Sequence, residues 1–318
     1  MTVSLLTGLG SGGEAEGDTF TGIENIYAGE GDDTLTGDSG ANVLYGNGGN
    51  DILFGNAGDD EFFGGDGDDI LNGGAGADEL NGHYGNDTAD YSGSASAITV
   101  DLSTGSASGG DAAGDTFISI ENITGSDHDD SITGQSGANV LSGGAGADTI
   151  AANSGDDELY GGAGNDVLNA HAGADILSGG TGDDTLNGGD GGDTYLFGRD
   201  DGSDTLLELA NDSGTDVLSF GADIDETQIW FRQTGLDLEV SLIGTSDKVL
   251  VDGWFDSSAQ QVEEFHTLDG DVLLNSQVQN LVDAMSAFSP PSAGQTTLPA
   301  SYEDDLLPVM AANWSSSA

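Results

Sequence analysis

Within residues 28–90 and again within 125–196 one apolar residue recurs at every ninth position, and most of what separates these residues is glycine or polar. Reading from Ala28, nine-residue units begin at 28, 37, 46, 55, 64, 73 and 82. A second set begins at 125, 134, 143, 152, 161, 170, 179 and 188. Position 8 is apolar in all fifteen units, from Leu35, Leu44 and Leu53 to Leu177, Leu186 and Tyr195. Side chains alternate along a strand, so the last three residues of a unit form a short strand with position 8 facing inward. The other six residues must turn the chain. Two units then close one coil, and units i and i+2 stack as parallel strands about 4.8 Å apart.

A longer repeat lies over the short one. Gly17-Asp18-Thr19-Phe20 and Ile23-Glu24-Asn25-Ile26 recur as Gly114-Asp115-Thr116-Phe117 and Ile120-Glu121-Asn122-Ile123, an offset of 97 residues. The same offset carries Val3, Leu5, Thr7 and Gly8 onto Val100, Leu102, Thr104 and Gly105. The first copy has no counterpart of residues 91 to 99, so residue 1 is expected to fall inside a module of a longer ancestral or present protein.

Composition explains why such coils need help. The chain holds 58 acidic side chains against 3 basic ones, for a formal net charge of -55. The three basic residues, Arg199, Arg232 and Lys248, all lie beyond residue 198. Nucleic acid is excluded as a ligand, because three residues cannot make a basic patch. The carboxylates of the first 198 residues must be neutralised from outside. Of the 55 glycines, 47 fall in residues 1 to 200, which excludes long helices there, since each helical Gly costs about 1 kcal/mol relative to Ala. There is no cysteine, hence neither a disulfide nor a thiolate metal site. Residues 1 to 10 (MTVSLLTGLG) lack the basic and apolar regions of a signal peptide. No stretch approaches the roughly 18 apolar residues of a membrane helix.

Within a unit, position 4 is Gly in fourteen of fifteen cases and position 6 is Asp in thirteen, with Asn42 and Asn139 the two exceptions. Glycines at positions 1, 2 and 4 permit positive φ and close backbone packing. Carbonyl oxygens can then turn toward the carboxylate at position 6 of a neighbouring turn, which makes an all-oxygen, anionic cage suited to a hard cation. The candidate metal ligands are Asp33, Asp51, Asp60, Asp69, Asp78, Asp87, Asp130, Asp148, Asp157, Asp166, Asp175, Asp184 and Asp193. The acids at position 5 (Asp32, Asp59, Asp68, Asp129, Asp156 and Asp183) are expected to be solvated charges, since alternation points them away from position 6. Stacked carboxylates repel, so the arrays are expected to be unfolded without the cation and to fold as it binds.

The units, for example Gly161-Gly162-Ala163-Gly164-Asn165-Asp166-Val167-Leu168-Asn169, resemble the GGxGxDxUx nonapeptide of the RTX family of secreted calcium-binding repeat proteins. That resemblance implies a parallel β-roll solenoid, several calcium ions as cofactor, and export through a type I secretion exporter to the extracellular side of a Gram-negative bacterium.

Other motifs carry less. His83 and His171 stand at position 2 and His128 at position 4, as turn substitutions. Gly37-Asp38-Ser39-Gly40 looks like a serine-protease loop, but it opens a nonapeptide and no His is placed to serve it. Gly8, Gly10 and Gly13 fit GxGxxG, yet no helix opens after them. Thr34 and Thr36 flank Leu35 without recurring as a ladder in later units.

Beyond residue 196 the repeat decays through Gly202-Ser203-Asp204-Thr205-Leu206 and Gly214-Thr215-Asp216-Val217-Leu218, then gives strand-like runs at 228–232, 236–243, 248–251 and 271–274. Such a segment can cap the last apolar layer of a solenoid. Residues 247–270 resemble the haemolysin-type calcium-binding related domain. Val278, Leu281, Val282, Met285 and Phe288 have helical spacing and are followed by Pro290 and Pro291, which predicts a helix docked on the cap. Residues 292–318 are similar to an uncleaved type I secretion signal.

The sequence therefore predicts an all-β fold: a parallel β-roll solenoid of two arrays with a C-terminal β-rich cap and one helix. Its parts are a partial linker module (1–27), the first array (28–90), a β linker module (91–124), the second array (125–198), the cap (199–275), and a helix with secretion tail (276–318). The expected function is a secreted, non-enzymatic protein whose arrays fold on extracellular calcium after export. The alternatives are the C-terminal part of a larger toxin, adhesin or hydrolase, or a solenoid that binds a cell-surface or glycan partner.

Overall fold

The computed structural model describes residues 1–208, 214–222, 224–257, 260–292 and 294–316. The chain packs as two compact units, Met1–Ala152 and Asn153–Ala318, so the division falls inside the second array.

In Met1–Ala152 the strands of alternate nonapeptides stack into alternate sheets. Thr34–Thr36, Ile52–Phe54, Ile70–Asn72 and Thr88–Asp90 run parallel, with Leu35, Leu53, Leu71 and Ala89 in register. Asn25–Tyr27, Val43–Gly48, Glu61–Asp66 and Glu79–Tyr84 form the facing sheet, with Ile26, Leu44, Phe62 and Leu80 in register. Every position-8 side chain from Leu35 to Ala89 is buried, as the nine-residue pattern requires. Outward-facing rings stack as well: Tyr27, just ahead of the first unit, on Tyr45 at 4.4 Å, and Tyr45 on Phe63, both at position 9, at 4.3 Å. This spacing follows from strand separation, because residues 18 apart sit on neighbouring strands.

The duplication is visible in three dimensions. The antiparallel hairpin Thr2–Ser4 with Leu9–Ser11, the 3-10 turn Gly13–Ala15 and the strand Asn25–Tyr27 recur as Thr99–Asp101 with Ser106–Ser108, Gly110–Ala112 and Asn122–Thr124. Each hairpin pairs in parallel with the first strand of its own array, Val3 beside Leu35 and Val100 beside Ile132.

In Asn153–Ala318 the roll runs on past residue 198. Glu158–Ala163, Ile176–Thr181, Thr194–Phe197, Val217–Phe220 and Glu264–His266 make one parallel run. Val167–Ala172, Thr185–Asp190, Ser203–Leu206 and Lys248–Val251 make the other. Direction then reverses. Asp237–Leu242 and Ile229–Thr234 add antiparallel strands on one side, and Asp271–Leu274 and Ser315–Ser316 on the other. The predicted strand runs are thus present, close to their expected positions.

The expected helix is observed as Asn275–Met285, so that Phe288, expected on its apolar face, lies beyond its C-terminal end. The single-helix expectation is corrected by a second helix, Ala300–Asn313, within the segment expected to be a tail. Pro308 inside it lacks an N–H and hid the helix from sequence pattern. Packing makes it stable: Leu306 and Met310 are buried, and Asn280 donates to Asn313 across the helix pair at 2.8 Å.

Candidate metal centre

All thirteen predicted aspartates are buried, although water would normally solvate such groups. Their Oδ1 atoms form a ladder that replaces part of the sheet hydrogen bonding. Asp51 accepts the N–H of Asp33 at 2.8 Å, Asp69 that of Asp51 at 2.8 Å, and Asp87 that of Asp69 at 2.9 Å. On the facing side Asp60 accepts from Asn42 and Asp78 from Asp60, both at 2.7 Å. In the second unit Asp175, Asp184 and Asp193 accept from Asp157, Asp166 and Asp175. Because a side chain takes each N–H, no turn carbonyl is consumed by it.

The other carboxylate oxygen is left over. Oδ2 of Asp51, Asp60, Asp69, Asp78, Asp87, Asp175 and Asp184 is buried without a hydrogen-bond partner. A buried, unpaired carboxylate oxygen is costly and calls for a cation. Burial pushes Asp69 and Asp78 up to about 7, and Asp51, Asp60, Asp87 and Asp184 up to about 6. Neighbouring carboxylates, such as Asp87 and Asp51 around Asp69, add to that rise, and the ladder N–H opposes it. Burial raises Asp175 as well.

Glycine shapes the cradle in two distinct ways. From the third unit of each array onward φ at position 2 is positive, and Asn47, Asn56, His83, Asn153 and His171 adopt it at φ between 72° and 81°. These histidines are therefore turn residues. Position 1 serves clearance instead: a Cβ on Gly46, Gly55 or Gly64 would collide with Oδ2 of Asp51, Asp60 or Asp69 in the same unit and crowd the carbonyl of Gly64, Gly73 or Gly82 in the next coil. A carbonyl and an orphan carboxylate oxygen thus meet beside each of these glycines.

The arrays begin differently. Oδ2 of Asp33 accepts the N–H of Gly29 at 3.1 Å and its Oδ1 takes the N-terminal amine. In the second array Oδ2 of Asp130 accepts from the N–H of Ser126 at 2.6 Å, and Oδ1 from Ile98 at 2.8 Å. Asn42 is hydrogen-bonded by protein at both ends, accepting from Asp38 at 2.7 Å and donating to the Glu24 carbonyl at 3.1 Å. Asn139 repeats this arrangement with Gln135 and Glu121. Asp148, Asp157, Asp166 and Asp193 lie buried in the same stacked turns.

The position-5 acids are exposed as expected, but solvation is only part of their role. Oδ1 of Asp32, Asp59, Asp68, Asp129 and Asp156 accepts the N–H of the residue 18 further on, at 2.8 to 3.0 Å. Their ladder runs forward along the roll while the position-6 ladder runs backward. Alternation does separate the two side chains, yet both end on backbone donors.

Five acids of the same kind were outside the sequence-based set. Asp115 and Glu121 accept from Asp78 and Asp87 at the end of the first array, at 2.8 and 3.0 Å. Asp204, Asp216 and Glu263 accept from Asp184, Asp193 and Asp216 at the cap, at 3.0, 2.9 and 2.9 Å. Burial raises Asp204 to about 8. The Gly-x-Asp-x-Leu fragments marked Asp204 and Asp216, while insertions between coils displaced Asp115, Glu121 and Glu263 from the nine-residue count.

Ser39 sits in a nonapeptide turn in which Asp38 accepts the N–H of Gly40 at 2.9 Å. Thr34 and Thr36 face Ile52 and Phe54 on the next strand, so no threonine row forms there. Among the described residues no three His, Cys, Asp or Glu side chains converge as a metal site, so a cage here must draw on backbone carbonyls. An all-oxygen donor set of carbonyls and a few carboxylates, with flexible coordination number, is the preference of calcium. The residues therefore fit that ion.

Comparison with protein families agrees. The model for the RTX calcium-binding nonapeptide repeat matches overlapping stretches spanning residues 18–89 and 124–206, and that for the haemolysin-type calcium binding protein related domain matches residues 237–277. Together these cover more than half of the chain. Among solved structures the chain shows 20% identity to the extracellular lipase LipA from Serratia marcescens, over 79% of this chain and 40% of that one, with a TM-score of 0.26. At that score the likeness adds nothing to the fold already described. The nonapeptides, their buried aspartate ladders and the C-terminal domain place this chain in the RTX family, whose haemolysin-type repeats bind several calcium ions.

Proposed function

We propose that the chain is a non-catalytic module that stays unfolded at low calcium, passes through a type I exporter in that state, and folds on extracellular calcium. The observation that carries this reading is the row of buried Oδ2 atoms without partners in a region that has no basic side chain. Without a cation these carboxylates repel one another and oppose burial. With it, binding free energy becomes folding free energy. Cytosolic calcium is too scarce to drive this step, whereas millimolar calcium outside is sufficient. Among the described residues no helix is long and apolar enough to cross a membrane.

Circular dichroism of the full chain tests the linkage. In chelator the β signal is expected to be largely lost, and to return cooperatively with millimolar calcium. Magnesium substitutes poorly, because it demands tight octahedral geometry and keeps its water. Identical spectra with and without calcium would refute the reading.

A further inference from the structure

The second array ends on a residue type that the nonapeptide never uses at that place. Leu206 stands beside Leu186 in register, so Glu208 follows where Gly188 stands one coil earlier. That place is position 1, which is Gly or Ala in all fifteen units, because the side chain there points toward the position-6 carboxylate. Glu208 puts a carboxylate into it and is only 7% exposed. The first array ends otherwise: the residue in the same place is Ser119, which turns its carbonyl toward Gly82.

The backbone ladder lets go beside Glu208. At position 1, Gly37, Gly55 and Gly134 donate their N–H to a carbonyl of the next coil, whereas the N–H of Gly188 donates to the Tyr195 hydroxyl at 3.0 Å. That hydroxyl in turn hydrogen-bonds the Glu208 carboxylate. Tyr195 thus fixes one oxygen of Glu208, while Oε1 is buried with no hydrogen-bond partner. The Glu208 carboxyl also lies within hydrogen-bonding reach of Asp216, and Asp193 and Glu263 add negative charge around the pair. These acids are tied together through the backbone, since Asp216 accepts the N–H of Asp193 and Glu263 accepts that of Asp216, both at 2.9 Å. Two carboxyl groups so close cannot both stay ionised unless a cation lies between them; otherwise one keeps a proton.

We propose that Glu208 and Asp216 hold a calcium ion of their own at the junction of the last nonapeptide and the cap, with backbone carbonyls completing an all-oxygen shell. The inference rests on the calcium reading above and extends it to a residue outside the aspartate class. A proton would neutralise one acid of this group, whereas a divalent ion neutralises two and gives Oε1 a partner. Upstream, position 1 supplies only a carbonyl; here it supplies a carboxylate as well. Calcium affinity rises with the number of charged ligands, so this ion is the most tightly held of the chain.

The ions bound by the full chain are counted by native mass spectrometry and titrated against a chromophoric chelator, with dichroism of the same samples as the record of folding. The wild type is expected to hold one ion about tenfold or more tighter than the rest. Glu208→Gln keeps the shape and removes the charge, and is expected to lose that one ion while the others and the β signal in saturating calcium remain. An unchanged count with the tight ion still present overturns the site, since it shows that Glu208 shares a proton with Asp216 instead. Where Glu208→Gln abolishes the dichroic response, terbium in place of calcium decides. Tyr195 adjoins the site, so the first equivalent of terbium is expected to emit on tyrosine excitation and to lose most of that emission in Tyr195→Phe. First-equivalent emission independent of Tyr195 overturns the site. Absence of any calcium response in the wild type refutes the folding reading itself, whereas a normal response with calcium binding unaltered in Glu208→Gln refutes this site alone.

Discussion

Asp69 and Asp68 are neighbours in sequence, both acidic, and both hydrogen-bonded to a coil 18 residues away, yet their removal is expected to have different consequences. Oδ1 of Asp69 accepts the buried N–H of Asp51, and its Oδ2 is a buried oxygen without a partner. Asp69→Ala strands that N–H, which costs about 1 to 3 kcal/mol, and also removes the proposed cation ligand. Oδ1 of Asp68 accepts from Asn86 at an exposed site, where water can replace it. Asp68→Ala should cost about 0.5 to 1 kcal/mol. Urea unfolding of the full chain in saturating calcium measures both, and titration with calcium gives the midpoints. Asp69→Asn sharpens the test because its sign changes with calcium. It retains Oδ1 and removes a charge that burial, Asp87 and Asp51 all disfavour, so it is expected to stabilise the calcium-free coils at pH 8 while raising the calcium midpoint. Asn42 shows that the site accommodates an amide, with its nitrogen donating to a carbonyl. Equal losses for Asp69→Ala and Asp68→Ala, or a calcium-free form weakened by Asp69→Asn at pH 8, would refute the assignment.

The raised carboxylates also fix a pH dependence: folded values of about 6 to 7 against an ordinary 3.8 mean that the folded apo chain binds more protons, so its stability is greatest near pH 4 and falls as pH rises through 6 to 7. Dichroism in chelator should show more β structure at pH 5 than at pH 8, and the calcium midpoint should rise at the lower pH as protons compete. Gly64→Ala places a methyl against Oδ2 of Asp69 and the Gly82 carbonyl and is expected to cost about 1 to 3 kcal/mol in calcium, whereas Gly40→Ala, whose Cβ meets nothing nearer than 3.4 Å, should cost less than half as much by urea unfolding. Met310→Ala and Leu306→Ala remove buried side chains of the second helix and should each lower cap stability by about 2 to 5 kcal/mol, read by hydrogen exchange at Ile229–Thr234 and Asp271–Leu274, with the calcium midpoint of residues 28–90 unchanged. Deleting residues 277–318 therefore tests export and cap folding together, and exposed positions in Ala300–Asn313, such as Glu303 and Asp304, separate the two in a secretion assay.

The strand and turn alternation, the inward row from Leu35 to Tyr195, the stacking of residues 18 apart and the duplication were determined by the sequence alone. Each follows from local rules repeated many times: a strand alternates with period two, and identical units stack identically. For the same reason the thirteen aspartates stood out as one class. Only the tertiary structure separated that class. Asp33 and Asp130 begin their arrays and are tied to the protein's own donors, while Asp51 to Asp87, Asp175 and Asp184 keep an oxygen without a partner. It also gave the position-5 acids their hydrogen bonds, recruited Asp115, Glu121, Asp204, Asp216 and Glu263 across insertions, and folded Ala300–Asn313 despite Pro308. Ile23 and Ile120 show the physical reason most directly. Their local sequences match, yet one is exposed and the other buried, because burial depends on which coil lies above a residue and not on the residues beside it in the chain.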